Sequence, residues 1–335
     1  MDADAEARGE RKADHLRIAA GGGIVHAAGT GLDAVRLRHR ALPERDLAGV
    51  ALGTQLLGRF LRAPLVISAM TGGTDAAAQI NDGLIDAACE HGIAIVLGSG
   101  RALLEDPDLR RTYGRGPRPP LLLANLGAGQ LDAERALRLV DMLDADGLSI
   151  HLNPLQEAVQ PEGVPRFAGV VERIAEVVAR LAPAPVVVKE VGFGFDAADV
   201  RLLAKAGVAA VDVAGAGGTN WALIEGMRDR RAGAVAQAFA DWGVPTVEAL
   251  AEARAAAPEL PVMASGGVRN GVDVAKCLAL GAAAVGIARP LLIAARRGRT
   301  AAAISEVVEQ LRIATWLAGA PSTTALGGEH LRAPR

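Results

Sequence analysis

The sequence predicts a single parallel (β/α)8 barrel, because a short apolar run, a turn and an amphipathic helix recur from Ala63 onward. The length of 335 residues is ordinary for a one-domain α/β barrel. Half of the residues are hydrophobic but only 3% are aromatic, so the core must consist of Ala, Val, Leu and Ile. Such side chains suit a parallel barrel whose strands are buried on both faces.

Eight apolar runs are predicted to form the strands. They are Leu65–Ala69, Ile93–Leu97, Leu121–Ala124, Gly147–Ile150, Val186–Lys189, Ala210–Val213, Val262–Ala264 and Ala284–Ile287. Helical patterns lie between them, such as AAAQINDGLIDAACEHG, DAERALRLVDMLDA and AGVVERIAEVVARLA. Eight repeats favour closure into a barrel over a doubly wound sheet. We therefore expect residues 63–335 to form the barrel and residues 1–62 an N-terminal extension, with no second domain.

Composition argues against several classes of partner. The formal net charge is −2, which gives no basic excess for nucleic acid. The charged N-terminus has no apolar core, so it is not a signal peptide. The longest apolar stretch, Cys277–Ala295, contains Arg289 and Pro290 and divides into helix, strand and loop rather than a membrane span. Cys89 and Cys277 both fall in helical patterns, which predicts no disulfide framework and a reducing cytoplasm.

Residues that follow the strands of a parallel barrel line its catalytic mouth. Here they are Met70–Gly73, Ser99–Arg101, Asn125, His151, Asn153, Lys189, Gly217–Trp221, Gly266, Gly267, Ala288 and Arg289. Few of them are acids, and no Ser–His–Asp or Cys–His set is evident. This inventory predicts that a cofactor performs the chemistry.

The loops after the last two predicted strands indicate a phosphate site. Gly266 and Gly267 lead into a helix, and the last strand ends in Ala288 and Arg289. Glycines let backbone N–H groups approach phosphate oxygens, and a helix N-terminus adds partial positive charge. The alternative is that these glycines only permit tight turns. The segment Ala214–Trp221 is also glycine-rich, but it lacks the dinucleotide-binding fingerprint.

Lys189 ends the fifth predicted strand. It forms either a salt bridge at the barrel mouth or an ammonium beside a cofactor that becomes anionic. The segment His151–Gly163 is rich in ligand-binding groups, with Asn153, Gln156 and Glu157 close together. Asn153 could simply cap a helix there. A carboxylate with neighbouring amides could instead hold Mg²⁺ on a diphosphate, since Mg²⁺ takes few protein ligands plus substrate oxygens.

Near the N-terminus, Arg11 and His15 have helical spacing and flank Lys12, a pattern that by itself is typical of a solvated terminus. The four remaining histidines carry no chemical signal of their own, and we expect surface or capping roles for them. They are His26, His39, His91 and His330.

Ten segments together resemble the type 2 isopentenyl-diphosphate Δ-isomerases, an FMN-dependent family. They are RKADH, HRALPE, LVISAMTGGT, GSGRALLEDP, ANLGAGQ, HLNPLQEAVQPEG, VVVKEVGFG, DVAGAGGTNW, SGGVRNG and GIARP. They occur in order from about Arg11 to Pro290, which is nearly the whole chain. The HLNPLQE and RKADH segments are much more specific than the phosphate motif alone.

The resemblance implies a role for each matching residue. Residues implied to contact the flavin ring, ribityl chain or phosphate are Ala69, Met70, Thr71, Ser99, Asn125, Lys189, Thr219, Gly266, Gly267, Ala288 and Arg289. Residues implied to surround the substrate and its diphosphate are Arg11, Lys12, His15, Arg101, Asn153 and Gln156, with Glu157 on Mg²⁺. His151, Gln156 and Lys189 are the implied catalytic residues. The family also implies NADPH or another reductant, and a homo-oligomer that is a tetramer or an octamer.

One residue departs from the family pattern. The family commonly has Gln where this chain has Gly100, between Ser99 and Arg101. The lost amide could weaken a substrate contact or be replaced by water, which leaves room for another allylic or homoallylic diphosphate.

The sequence therefore predicts an isomerase that interconverts isopentenyl and dimethylallyl diphosphate with reduced FMN and Mg²⁺. An alternative is an FMN-dependent oxidoreductase of the 2-hydroxy-acid oxidase or dihydroorotate dehydrogenase type, which shares the phosphate end of the barrel. That reading leaves HLNPLQE and RKADH unexplained. A non-catalytic flavin-binding regulator is favoured only if Glu157 and Lys189 do not face one cavity.

Overall fold

A closed barrel of eight parallel strands forms the centre of the computed structural model, which describes residues 3–333. The strands are β1 (Thr54–Leu56), β2 (Arg59–Leu61), β3 (Leu65–Ile67), β4 (Ala94–Val96), β5 (Leu121–Gly127), β6 (Gly147–His151), β7 (Val186–Lys189), β8 (Ala210–Asp212), β9 (Val262–Ala264) and β10 (Ala284–Ile287). Strands β3 to β10 form the barrel in chain order, and β10 pairs with β3 to close it. The predicted fold class is confirmed.

Helices cover the barrel and part of its mouth. They are α1 (Ala3–Ala19), α2 (Asp75–His91), α3 (Arg101–Glu105), α4 (Ala133–Leu143), α5 (Pro154–Val159), α6 (Val170–Leu181), α7 (Ala197–Lys205), α8 (Trp221–Gly226), α9 (Arg230–Gln237), α10 (Thr246–Ala256), α11 (Gly271–Ala279), α12 (Arg289–Ala295) and α13 (Thr300–Leu317). Within residues 3–333, none of them is long and apolar enough to cross a membrane.

The predicted strands all form, with bounds that differ by a few residues. The largest difference is in β5, which continues past Ala124 to Gly127. Its extra residues pair with β6, where Asn125 lies opposite Ser149 and Gly127 opposite His151. This pairing carries both strands toward the catalytic mouth, so Asn125 and His151 are held by the ladder itself.

Local sequence explains where the surrounding helices begin and which face they bury. The Thr74 hydroxyl accepts from the Ala77 N–H to cap α2, and the Asp132 carboxylate caps α4 in the same way. Helix α6 buries Ile174, Val177 and Leu181, which recur at helical spacing. Cys89 lies in α2 and Cys277 in α11, both as free thiols.

The segment before Ala63 contributes to both ends of the barrel. The antiparallel hairpin β1–β2 packs Leu56 and Leu61 against Val66 and Leu121, residues near the starts of their strands. It therefore closes the N-terminal end of the barrel. Helix α1 lies at the opposite end and contributes residues to the catalytic mouth.

Candidate active site

One cavity of about 640 Å³ opens at the C-terminal ends of the barrel strands. Every residue to which the resemblance assigns a site role lines it. These are Arg11, Lys12, His15, Ala69, Met70, Thr71, Ser99, Arg101, Asn125, His151, Asn153, Gln156, Glu157, Lys189, Thr219, Gly266, Gly267, Ala288 and Arg289. Glu157 and Lys189 thus face one cavity, which removes the condition that would have favoured a non-catalytic regulator.

Lys189 and His151 form the buried floor of the cavity. The Lys189 ammonium donates to the backbone carbonyl of Glu190, and burial lowers the pKa of Lys189. His151 Nδ1 lies 3.0 Å from Asn125 Oδ1, so Nδ1 carries the proton and Nε2 is left as an acceptor. Burial, together with the charge of Lys189, lowers the pKa of His151 to about 3. His151 is therefore neutral at physiological pH.

Glu225, on α8, is the centre of a network that joins three helices. Its Oε1 accepts from Gln156 Nε2 at 2.7 Å and lies 2.9 Å from His15 Nε2. Its Oε2 accepts from Arg228 at 2.7 Å. Burial alone raises the pKa of Glu225, but the hydrogen bonds from His15, Gln156 and Arg228 outweigh burial and lower it. An ionised carboxylate thus fixes His15 of α1 and Gln156 of α5 at the cavity wall.

Glu157 lies one residue beyond Gln156 and has a different environment. Its Oε1 accepts from Asn153 Nδ2 at 3.2 Å, and its Oε2 accepts from the Val164 N–H at 3.0 Å. Asn153 is the N-cap residue of α5, as the capping alternative predicts, although its side chain makes no cap hydrogen bond. It instead donates to both Gln156 and Glu157. Asn153 therefore holds a carboxylate and an amide oxygen beside each other at the cavity.

The N-terminal extension is fastened to the cavity rim by polar contacts. Lys12 Nζ donates to the Gly72 carbonyl at 2.5 Å. Arg289 Nε donates to the Ala19 carbonyl at 2.8 Å, and the same guanidinium contacts the Gly21 carbonyl. The chain then forms an antiparallel bridge with Thr219. These contacts place α1 across the mouth, so the charged segment is not a freely solvated terminus.

Two glycines permit close approaches that a side chain would block. A Cβ on Gly98 would collide with the Thr71 carbonyl, and one on Gly266 would collide with the Gly215 carbonyl. Gly266 also has a φ of 100°, a conformation that side-chain-bearing residues avoid. The loop after β9 is therefore shaped by glycine, and its backbone lines the end of the cavity where Arg289 lies.

Gly100 does not lie at the cavity. It begins α3, and its N–H donates to the Asn125 carbonyl at 2.7 Å. A Cβ at this position would collide with the side chain of Leu139, which is fully buried in α4. Gly100 therefore lies next to Leu139 and, as glycine, contributes no side chain to the cavity.

Sequence reasoning missed several residues of this site. Glu225 and Gln160 belong to the network, because the Gln160 amide, in the orientation that satisfies both neighbours, donates to Glu225 at 3.1 Å and accepts from Arg11 at 3.0 Å. Arg269 and Gln130 also line the cavity. Trp221 and Glu225 are spaced i, i+4 on α8, but this spacing alone does not indicate a site, so no local signal identified Glu225.

His26 departs from the expected surface or capping role. It is 5% exposed, and its ring packs edge-on against Phe193 at 5.3 Å. His330 does cap, since its Nδ1 accepts from the Gly327 N–H. Burial of His26 follows from the bridge that the extension makes beside Thr219, a contact far apart in sequence.

The fold and the cavity define a (β/α)8 barrel with a binding site at its C-terminal mouth. Residues 167–333 match the family model described as FMN-dependent dehydrogenase. Among solved structures, a mandelate oxidase with an FMN adduct has a TM-score of 0.65 at 22% identity and covers 98% of this chain and 99% of that chain. A flavocytochrome b2 with sulfite bound has a TM-score of 0.70 at 20% identity, and covers 98% and 85%. These structural likenesses show the fold alone.

Relatives of higher identity decide the family. A protein of Xanthobacter autotrophicus named isopentenyl-diphosphate delta-isomerase is 52% identical, over 96% of this chain and 97% of its own length. Proteins with the same name from Synechococcus and Aeropyrum pernix are each 46% identical, over 91% and 92% of this chain and 90% and 86% of their own lengths. The chain belongs to the isopentenyl-diphosphate delta-isomerase family, and it is an enzyme.

Proposed function

We propose that this enzyme interconverts isopentenyl diphosphate and dimethylallyl diphosphate in isoprenoid biosynthesis, using reduced FMN and Mg²⁺. The observation that carries the proposal is the single cavity that holds the HLNPLQE residues, the basic residues of α1 and the flavin-type strand ends together. The family of the named relatives supports the same reaction.

The residues at the deep side of the cavity fit FMN. Its volume of about 640 Å³ has room for a mononucleotide and a small substrate. The ring and ribityl chain would lie against Ala69, Met70, Thr71, Ser99, Asn125, Lys189 and Thr219, and the phosphate against Gly266, Gly267, Ala288 and Arg289. When bound in its reduced form, FMN supplies acid/base chemistry without net oxidation. The Lys189 ammonium would stabilise negative charge on the ring.

The outer side of the cavity fits a diphosphate and Mg²⁺. Glu157 offers a carboxylate, and Mg²⁺ commonly binds one or two carboxylates together with substrate phosphate oxygens. The diphosphate would be surrounded by Arg11, Lys12, His15, Arg101 and Asn153. The extension over residues 1–62 thus contributes to the substrate site, while residues 63–335 hold the cofactor. With the charge of the diphosphate neutralised there, the apolar carbon chain of the substrate would extend toward the cavity floor.

Three side chains would govern the proton transfers that move the double bond. The Gln156 amide is held in one orientation, because it donates to Glu225 and accepts from Asn153. His151 is neutral and presents an unprotonated Nε2. Lys189 places a positive charge at the floor. A dry site with fixed dipoles of this kind stabilises charge that develops in a transition state.

The assay that tests this function uses isopentenyl diphosphate, Mg²⁺, FMN and photoreduction, anaerobically in deuterated water. We expect many dimethylallyl diphosphate molecules per reducing equivalent, with deuterium in the product, because the double bond moves by proton addition and removal. The FMN-dependent oxidoreductase alternative predicts one hydride equivalent consumed per product. Full activity with oxidised flavin, or one-to-one consumption of reductant, contradicts the proposal.

A second test concerns the phosphate end of the flavin site. We expect Gly266→Ala to weaken FMN binding about tenfold or more, because the positive φ and the collision with Gly215 strain the loop by roughly 1–3 kcal/mol. Titration of apoprotein with FMN, followed by flavin fluorescence, measures the effect. Gly49→Ala is the control, since no atom lies within 4 Å of its Cβ position. Equal FMN affinity in both variants would show that the loop does not hold the phosphate.

We also propose a cytoplasmic homo-oligomer, a tetramer or an octamer, that receives its reducing equivalents from NADPH or another reductant. The reducing environment agrees with the two free cysteines. Light scattering of the purified flavoprotein measures the oligomeric state directly.

A further inference from the structure

Asp212 is a buried carboxylate that the proposed chemistry does not use. It ends β8, is 3% exposed and does not line the cavity. Its Oδ1 accepts from the Ser265 hydroxyl at 2.7 Å and from the Ala214 N–H at 3.3 Å. Both neighbours are donors, which is the surrounding that an ionised carboxylate requires in a dry interior.

Asp212 is the neighbour of Lys189 across the sheet. Strands β7 and β8 are parallel, and Lys189 and Asp212 are direct partners in their register. Residues opposite each other in a sheet project to the same face, so the ammonium and the carboxylate share the barrel interior. Lys189 lines the cavity and Asp212 does not, so the ammonium and not the carboxylate is presented to the cavity.

The other titratable groups around Lys189 cannot replace Asp212. His151, its register partner on β6, is neutral because burial lowers its pKa to about 3. Glu190 directs Oε2 to the N–H groups of Val191, Gly192 and Phe193, and burial raises its pKa to about 7. Glu190 is therefore partly protonated near neutral pH, and its carboxyl group is occupied by hydrogen bonds within its own loop. Asp212 is left as the main counter-charge of Lys189.

A buried lysine without a counter-charge tends to lose its proton. Burial lowers the pKa of Lys189, and Asp212 is the largest influence in the opposite direction, followed by Glu190. Burial also raises the pKa of Asp212, whereas Lys189 and the Ser265 hydroxyl oppose that change. The donors on Asp212 favour the charged form of the pair.

We propose that Asp212 is a positioning residue that keeps the Lys189 ammonium charged at the cavity floor. The effect of Asp212 on the charge of Lys189 does not require the cofactor, because both residues belong to the protein. Its consequence for the flavin rests on the proposed function, because only there does Lys189 act beside the FMN ring. Asp212 touches neither substrate nor cofactor and acts through Lys189 alone.

NMR of the apoprotein labelled with ¹³Cε-lysine tests the charge relation. The chain has only Lys12, Lys189, Lys205 and Lys276, so Lys189→Arg assigns the signal. In Asp212→Asn we expect the titration midpoint of Lys189 to fall by roughly 1–3 pH units, as removal of a nearby opposite charge predicts. The signals of Lys205 and Lys276 serve as internal controls for the fold. An unchanged Lys189 midpoint in a folded variant overturns the proposal.

If Asp212→Asn does not fold, Ser265→Ala provides a second variant for the same titration. It removes a donor from Asp212 but retains the carboxylate, so we expect a smaller fall of the Lys189 midpoint. No fall in this variant, in the absence of a folded Asp212→Asn protein, also overturns the proposal.

The flavin-loaded protein separates this inference from the proposed function. In Asp212→Asn we expect a lower midpoint potential of bound FMN, because a neutral amine no longer stabilises the anionic reduced ring. A shifted Lys189 titration with an unchanged potential would support the relation between Asp212 and Lys189, and would contradict the placement of Lys189 beside the ring.

Discussion

Glu157→Gln is expected to lose about 10²–10³-fold in kcat/KM with isopentenyl diphosphate, in the range observed when one electrostatic contact to a transition state is removed. The amide is isosteric but has one acceptor oxygen in place of two, so only one of the hydrogen bonds from Asn153 and Val164 is kept. It carries no charge for Mg²⁺, however, and the diphosphate loses its counter-ion. Steady-state assays over a range of Mg²⁺ concentrations measure the loss.

The flavin content of the same variant decides how the loss is interpreted. Glu157 lies on the loop after β6, whereas the proposed phosphate site lies after β9 and β10, so we expect normal FMN binding. Glu172→Gln, an exposed carboxylate on α6, is the matched control and should leave activity unchanged. Parallel loss of FMN and activity in Glu157→Gln would instead give Glu157 a structural role.

Glu225→Gln is expected to lower kcat by about 10²-fold or more, because Gln156 and His15 lose the charged acceptor that orients them. The network also loses one of the two carboxylate partners of Arg228, which leaves that cation paired with Glu162 alone. We therefore expect lower thermal stability as well. Pre-steady-state assays with prebound FMN separate the catalytic effect from cofactor loss.

The control for Glu225 is a carboxylate of the same network that faces solvent. Glu162 pairs with Arg228 at 2.9 Å and with Arg11 at 3.7 Å, and its side chain is 41% exposed. Solvent partly screens the exposed Glu162 carboxylate, so its ion pairs should contribute little and Glu162→Gln should have a small effect on kcat. If the two variants lose kcat equally, orientation of Gln156 by Glu225 is not what the reaction requires.

The path of the strands was predictable because it depends on local pattern. Runs such as Val186–Lys189 are short, apolar and bounded by turns, and each became a strand with its polar end at the mouth. The same rule brought Asn125, His151 and Lys189 to one cavity before any contact was known. Strand ends were less certain, because β5 continues to Gly127 only through its pairing with β6.

The network around Glu225 was not predictable from spacing. Gln156 and Glu225 are 69 residues apart, and the Glu225 motif has no distinctive neighbours apart from Trp221. The position of α1 was equally hard to predict, because the contact that fixes it joins Arg289 and Ala19, which are 270 residues apart. From its sequence alone, a charged helix with Arg11 and His15 on one face could be exposed to solvent. Only the tertiary structure shows that a carboxylate packs beside it.

The sequence by itself determined the barrel, the residues at each strand end and the family resemblance, because periodicity and strand-end chemistry act over a few residues. Only the tertiary structure decided that Gly100 faces Leu139, that α1 crosses the mouth, and that Asp212 lies opposite Lys189 in the sheet. Those outcomes depend on which segments meet across the closed barrel. The free energy of a buried charge is set by these distant neighbours, so no local pattern records it.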